Sequence, residues 1–424
     1  MNFVREREQG RMQDYREGVS PGGRGGPLSG VRVLDFSTII AGPYGCTLLG
    51  DLGADVIKVE APKGDPIRDY PSTLERESRA YIGINRSKKS LILDLKRPEA
   101  RPVLDRLVRA SDVLVHNFRP SVPDRLGLGW DRLREVNPRL IYCPVSGFGE
   151  TGPFKDRAGL DQVLQAMTGM ARCQGNSEPE IVWGSVVDYF TSAMLAYAVT
   201  AALLDRERTG KGQKLGVSLL QSALTMQSAR FVWAEGEARD INRDFRSLGT
   251  TAIYPTASGW LYVTTSADHF WRAFCEIADL KELADDPRYD TTIKRAKRSS
   301  ELIPRIAVAL MARTAEEWEI LFGDRVPCAV ARGIEDVFDH PQVLAEELIA
   351  TATHPTLGSY RGIRSPIKFS GSPCPAPQSA PVPGEHSQDI LLKHGFSASE
   401  IDDLVRSGTV SGQETINKRT REEV

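Results

Sequence analysis

Between residues 31 and 148 the chain alternates short apolar runs with helical segments, and that alternation admits few folds. "VRVLDFS" (31–37) reads as a buried strand. "AGPYGCTLLGDLGA" follows as a turn and helix, with Pro43 suited to a first helical turn, where its missing N–H costs nothing. "DVIKVEAP" (55–62) is a second strand, stopped by its proline. "SLILDLK" (90–96), "DVLVHNF" (112–118) and "LIYCPVSGF" (140–148) continue the series. Between them lie "PEARPVLDRLVRAS" and "WDRLREVNPRL", the first with Leu, Val and Leu spaced along one helical face. Strands joined through helices pair in parallel and need cover on both faces. The expectation is an α/β fold with a mostly parallel, Rossmann-like sheet.

After residue 161 the text turns helical. "DQVLQAMTGMA" is one segment, and 188–210 is a long apolar helix stopped by charged residues and Gly210. Residues 212–236 read as a strand and then a helix. From about 250 a second unit begins. "AIYPTASGWLYVTTS" suggests a hairpin turning at "ASG", followed by helices over 270–278 and 299–323. "VPCAVARGIEDVFDHPQVLAEELI" reads as loop and helix, "THPTLGSYRGIRSPIKFSGSP" as loop and strand, and 387–410 as helices after a Pro-rich stretch, 372–383. The division this implies is a flexible extension (1–29), a large domain (30–224), a linker and small α+β domain (225–340), and a C-terminal segment (341–424).

Composition narrows the function classes. A chain of 424 residues is too long for one ordinary core. Its 54 basic and 56 acidic residues leave a net charge of -2, which calls for neither a nucleic-acid nor a membrane-surface partner. No uninterrupted run of about 18 apolar residues occurs, so no membrane span is expected. The N-terminus lacks the apolar core of a signal peptide. Six cysteines are scattered without a CxxC pair, which fits a reducing, cytoplasmic setting rather than disulfides or zinc. The six histidines form no HExxH cluster, and no metal is expected.

Four features bear on chemistry. Gly147, Gly149 and Gly152 match GxGxxG after a strand, but Pro153 follows and no helix opens there. A tight turn is the better reading, at the strand end where open α/β sheets bind ligands. Arg86, Lys88, Lys89, Lys96 and Arg97 cluster within one stretch, and Arg119 follows a strand. They are either solvated charges or a cradle for a phosphorylated ligand. Asp161 heads a helix, as an N-cap or as a carboxylate nucleophile. Asp188 heads the long helix, as a cap or a substrate contact.

Long collinear stretches now resemble the class III CoA-transferase family, which includes formyl-CoA and carnitine CoA-transferases and alpha-methylacyl-CoA racemases. They include "GVRVLDFSTIIAGPYGCTLLGDLGADVIKVEAPKGDPIR", "VLVHNFRPSVPDRLGLGW", "NPRLIYCPVSGFGETGPFKDRAGLD" and "PGEHSQDIL", within roughly 30–410. The resemblance implies an interlocked homodimer and transfer of coenzyme A from an acyl thioester to a carboxylic acid. CoA would be substrate, with no permanently bound cofactor. The family's nucleophile carries over to Asp161. CoA contacts carry over to Arg119 and Arg68 first, then Lys96, Arg86, Ala41 and Lys58. Racemases hold a histidine directly before the aspartate and a second acid–base group matching Asp188. Leu160 stands at the histidine position and cannot move a proton, which favours transfer over racemisation or another isomerase or lyase reaction. An inactive CoA-binding homologue is the remaining alternative. The glycine-rich lid of formyl-CoA members is reduced in 245–259 to Gly249 before the "YPTASG" turn, which disfavours formate and oxalate.

Overall fold

The computed structural model describes residues 25–75, 77–173, 178–238 and 249–412. Its main sheet contains β1 (Arg32–Asp35), β2 (Asp55–Glu60), β3 (Lys89–Leu93), β4 (Val113–His116), β5 (Ile141–Ser146), β6 (Gln213–Lys214), β7 (Val217–Ser218) and, from the far end of the chain, β13 (Val410–Ser411). The order is β13-β3-β2-β1-β4-β5-β6, with β7 also on β5. All neighbours are parallel except β13, which runs antiparallel to β3 with Val410 opposite Leu93. The strands are nearly continuous apolar runs because both faces are covered. Neighbouring residues point to opposite sides. Val33, Val56, Val113 and Ile141 enter one core with α1 (Ala41–Asp51) and a long helix after residue 185. Leu34, Ile57, Leu114 and Tyr142 enter the other.

The second core is closed by α3 (Ala100–Arg109) and α4 (Trp130–Val136), which follow a short α2 (Arg79–Ile84). On the first face lie α5 (Asp161–Met167), α6 (Val186–Thr209) and α7 (Leu219–Thr225). Two helices from the end of the chain, α11 (Ser387–Lys393) and α12 (Ala398–Arg406), add Ile390, Leu391, Ile401 and Leu404 to the second core. The helix α6 is long and apolar enough, by length and composition, to cross a membrane, although charged and polar residues interrupt its apolar run. Here it is a sheet-packing helix: Val187, Leu195 and Val199 are buried with β5 and α1.

Val232–Leu344 forms a compact unit of its own, and the residues on either side of it form the other. The inserted unit holds a sheet in the order β10-β9-β8, from β8 (Ala252–Pro255), β9 (Trp260–Val263) and β10 (Cys328–Val330). Against it pack α8 (Asp268–Ile277), α9 (Ser299–Leu310) and α10 (Ala315–Phe322), around Trp271, Phe274, Leu302 and Phe322. The hairpin β8–β9 turns at 256–259, with Gly259 at a φ of 82°. β10 replaces an expected loop, and β11 (Ile349–His354) with β12 (Gly358–Ile363) makes a hairpin where one strand was expected. Part of the lid segment, 245–248, lies outside the described residues.

Candidate active site

Asp161 is the first residue of α5, but its side chain does not cap that helix. The N-cap position is Leu160, in an extended conformation and without a side-chain cap bond. The Asp161 carboxylate reaches the start of α6 instead. Its Oδ2 accepts from the backbone N–H of Val187 (2.6 Å) and of Asp188 (3.1 Å). Its Oδ1 accepts from Gln165 Nε2. The reading of Asp161 as a cap of its own helix is therefore corrected: it caps the next one, whose positive dipole end favours a negative group. Asp188 is likewise not the N-cap of α6. Ser185 is, in a left-handed conformation (φ 56°), a strained setting for a non-glycine residue.

The loop that delivers Asp161 is held by two glycines. A Cβ on Gly147 would lie 2.6 Å from the Gly159 Cα, and one on Gly159 would lie 2.5 Å from the Gly147 Cα. The end of β5 and the approach to α5 therefore touch backbone to backbone. Gly147 serves this contact, and Gly149 and Gly152 take positive φ in the turn beyond. Gln165, fully buried, completes the arrangement. Its Nε2 also donates to Val182 O (2.9 Å), and its Oε1 accepts from Val182 N (2.9 Å).

Asp161 is 2% exposed, and no Lys or Arg pairs with it among the described residues. Three N–H donors carry its charge, as a buried carboxylate requires. Burial, and then the Asp161 charge, push the Asp188 carboxyl up to about 7. Ser192 Oγ links this end of α6 to α1, donating to Ala41 O (2.8 Å) and Asp188 O (2.9 Å).

A cleft opens at the carboxyl ends of β1 to β4, lined by Ser37, Thr38, Ala61, Leu93, Lys96 and Phe118. Leu95, Lys96 and Leu126 also line a second cavity, of about 590 Å³, together with Arg97, Arg101 and Arg125. This is where open α/β sheets take ligands. Lys96 and Arg119 are exposed there, Arg119 between the cleft residue Phe118 and the cavity residue Val122.

Three expected cofactor contacts are occupied otherwise. Lys58 is fully buried, bound to Asp65 (2.8 Å) and Ser37 O (2.9 Å). Burial opposes its charge, but Asp35, Asp65 and Glu60 hold its pKa above the usual lysine value. Arg68 forks onto Glu60 (2.8 Å at both nitrogens) and lies over the Tyr81 ring. Arg86 pairs with Asp51 and donates to Gly83 O (3.2 Å). The three share one feature: an internal carboxylate already pairs with each cation. Lys58 and Arg68 brace the cleft wall rather than face its contents. Ala41 is buried at the head of α1, its carbonyl taken by Ser192. Sequence reasoning missed Gln165, Arg101 and Arg125. The spacing of Gln165, four residues beyond Asp161 on one helix, was the available signal.

The model for CoA-transferase family III matches residues 28–387. A succinyl-CoA:glutarate CoA-transferase of Mus musculus is 32% identical, over 92% of this chain and 91% of its own length. A formyl-CoA:oxalate CoA-transferase of Bradyrhizobium diazoefficiens is 30% identical, over 91% and 97%. The crystal structure of a CAIB/BAIF family protein from Brucella suis matches at 29% identity and a TM-score of 0.77, covering 87% of this chain and all of that one. With this match over most of its length, an α/β core and a cleft at its strand ends, the chain belongs to CoA-transferase family III and is an acyl-CoA:carboxylate CoA-transferase.

Proposed function

We propose that transfer runs through covalent intermediates on Asp161. The observation that carries this is the setting of its carboxylate: buried, ringed by N–H donors, and with no neutralising cation among the described residues. A carboxylate locked in an ion pair would attack a thioester poorly, whereas the partners of this one are neutral N–H groups that hold it in place. It forms an acyl-aspartyl anhydride with release of CoA thiolate. An aspartyl-CoA thioester follows, and the incoming acid leaves as its CoA ester. The net reaction exchanges one CoA thioester for another, so the cycle needs no ATP. The protein supplies placement, exclusion of water and charge stabilisation.

CoA is substrate here. Its phosphates meet Lys96, Arg97, Arg101 and Arg125, with Arg119 at the rim, and its adenine lies against Phe118 and Leu126. Succinyl-CoA is the proposed donor and a dicarboxylate such as glutarate the acceptor. Support comes from relatives named for succinyl-CoA and from the single glycine, Gly249, in place of a glycine-rich lid. The working form is a cytoplasmic homodimer. The exposed Val163 and Met167 on α5 and Tyr197 and Leu204 on α6 supply an apolar face for a second copy.

The test is a mass-spectrometric screen of acyl-CoA donors against carboxylic acids, with light scattering for the dimer. Succinyl-CoA with glutarate should give glutaryl-CoA, and intact mass should show an adduct on Asp161. Asp161→Asn should lose both. Full transfer by Asp161→Asn sinks the mechanism. Exchange of the thioester's alpha hydrogen with deuterated solvent would instead indicate isomerase chemistry.

A further inference from the structure

The two oxygens of Asp161 are held differently, and the reaction needs them to act differently. We infer that Oδ1 is the oxygen that bonds to substrate in every turnover, and that Oδ2 never leaves the protein. The N–H groups of Val187 and Asp188 then form an oxyanion hole for Asp161's own carboxyl carbon. Gln165 is the positioning residue that keeps the two oxygens from exchanging places. This deepens the covalent reading above and rests on it.

The donors make the assignment. Oδ2 receives two backbone N–H groups from the first turn of a long helix, converging on one atom. That is the geometry for negative charge on an oxygen that stays put. Oδ1 receives one donor, from Gln165, and keeps lone pairs for a new bond. A half-turn of the carboxylate would have to break all three contacts. Gln165 resists it because its amide is fixed from both sides by Val182. Gln165 is fully buried, so no water replaces its donor during a flip.

The steps balance without a proton. Oδ1 attacks the thioester carbonyl carbon, and the C–S bond breaks with its electron pair passing to sulfur. The thiolate attacks Cγ of Asp161, and the carbonyl electrons move onto Oδ2, where the N–H groups of Val187 and Asp188 receive them. Collapse breaks the Cγ–Oδ1 bond, and the donor carboxylate departs carrying Oδ1. An acceptor carboxylate oxygen then attacks Cγ in the place sulfur holds, again charging Oδ2, and expels the thiolate. The thiolate attacks the acceptor's acyl carbon and leaves that oxygen behind as the new Oδ1.

The test follows the oxygen. The full-length enzyme turns over succinyl-CoA with glutarate carrying oxygen-18 in both carboxylates, glutaryl-CoA counting the turnovers. The peptide containing Asp161 is then weighed. One heavy oxygen, with a second entering far more slowly than turnover, is the expected result. Two heavy oxygens entering at the same rate overturn the assignment. No heavy oxygen, with glutaryl-CoA still forming, overturns the covalent reading itself and this inference with it. In Gln165→Met, which fills the space without a donor, the second oxygen should enter nearly as fast as the first. A purely structural role for Gln165 would lower turnover and leave the labelling asymmetric, and that result removes Gln165 from the proposal.

Discussion

Asp188 holds a proton that the unfolded chain would release, and this makes stability depend on pH. Its carboxyl is raised from an ordinary 3.8 to about 7 by burial and by Asp161. Between those values the folded chain binds the proton and the unfolded chain does not. Stability from this group is therefore full below about pH 4, falls as pH rises, and is gone above about pH 7. The slope is at most about 1.4 kcal/mol per pH unit. Asp188→Asn should remove this loss, so its urea midpoint relative to wild type should rise from pH 5 to pH 8. An unchanged difference would show that Asp188 is ionised throughout. At this scale the sequence was legible in part. Asp161 was singled out on its motif, and Leu160 on its difference from histidine. The roles of Lys58, Arg68 and Arg86 were not legible, because the carboxylates that claim them, Asp65, Glu60 and Asp51, become neighbours only through the turns and pairings around β2. A basic run in sequence says nothing about which of its members fold inward.

The elements were read best where burial is strongest. β1 to β5 are continuous apolar strands between turn signals, and α6 ends where charged residues and Gly210 end it. β10 and β11 escaped because their pattern is weak. "CAV" is too short to show alternation, and "IATATH" offers small residues with little contrast between faces. Pairing with β9 and β12 makes them strands, and pairing is not a local property. The contact between α1 and α6 shows how an element fixes the site. A Cβ on Gly45 would lie 2.9 Å from Leu195 Cδ2 and 3.1 Å from Ser192 O, so the helices meet with no room for a side chain. Gly45→Val should force α6 outward, costing about 1–3 kcal/mol as overpacking does. It should also lower kcat, because Ser192 and the two N–H donors to Asp161 ride on α6. Gly83→Ala is the matched control: exposed on α2 with nothing within 4 Å of its Cβ, it should leave stability and kcat unchanged or improve the first. Equal thermal shifts in the two variants would show that the α1–α6 contact has slack.

At the scale of the whole molecule, the chain leaves its first unit near Phe231 and returns near Ala345. The returning segment is part of the sheet. β13 pairs with β3, α11 and α12 supply one face of a core, and Ser90 Oγ accepts from Gly384 N (2.9 Å). The first unit therefore cannot close its second face until its last residues are made. The inserted unit has no such debt to distant sequence. Its core draws on Tyr254, Leu261, Trp271, Phe274, Leu302, Ile306, Trp318 and Phe322, all between its own boundaries. A fragment of residues 232–344 should accordingly fold alone, with one cooperative urea transition and dispersed amide resonances. Residues 25–231 without the return segment should not, because Leu91, Leu93, Val103 and Leu107 would lose the cover of Ile390, Leu391, Ile401 and Leu404. Adding 345–412 as a separate polypeptide should restore compactness if the return segment acts only through these contacts. A cooperative transition from 25–231 alone would show that the sheet does not depend on its C-terminal edge. The expected asymmetry follows from where each core finds its partners: one is contiguous in sequence, and the other must be closed across an insertion.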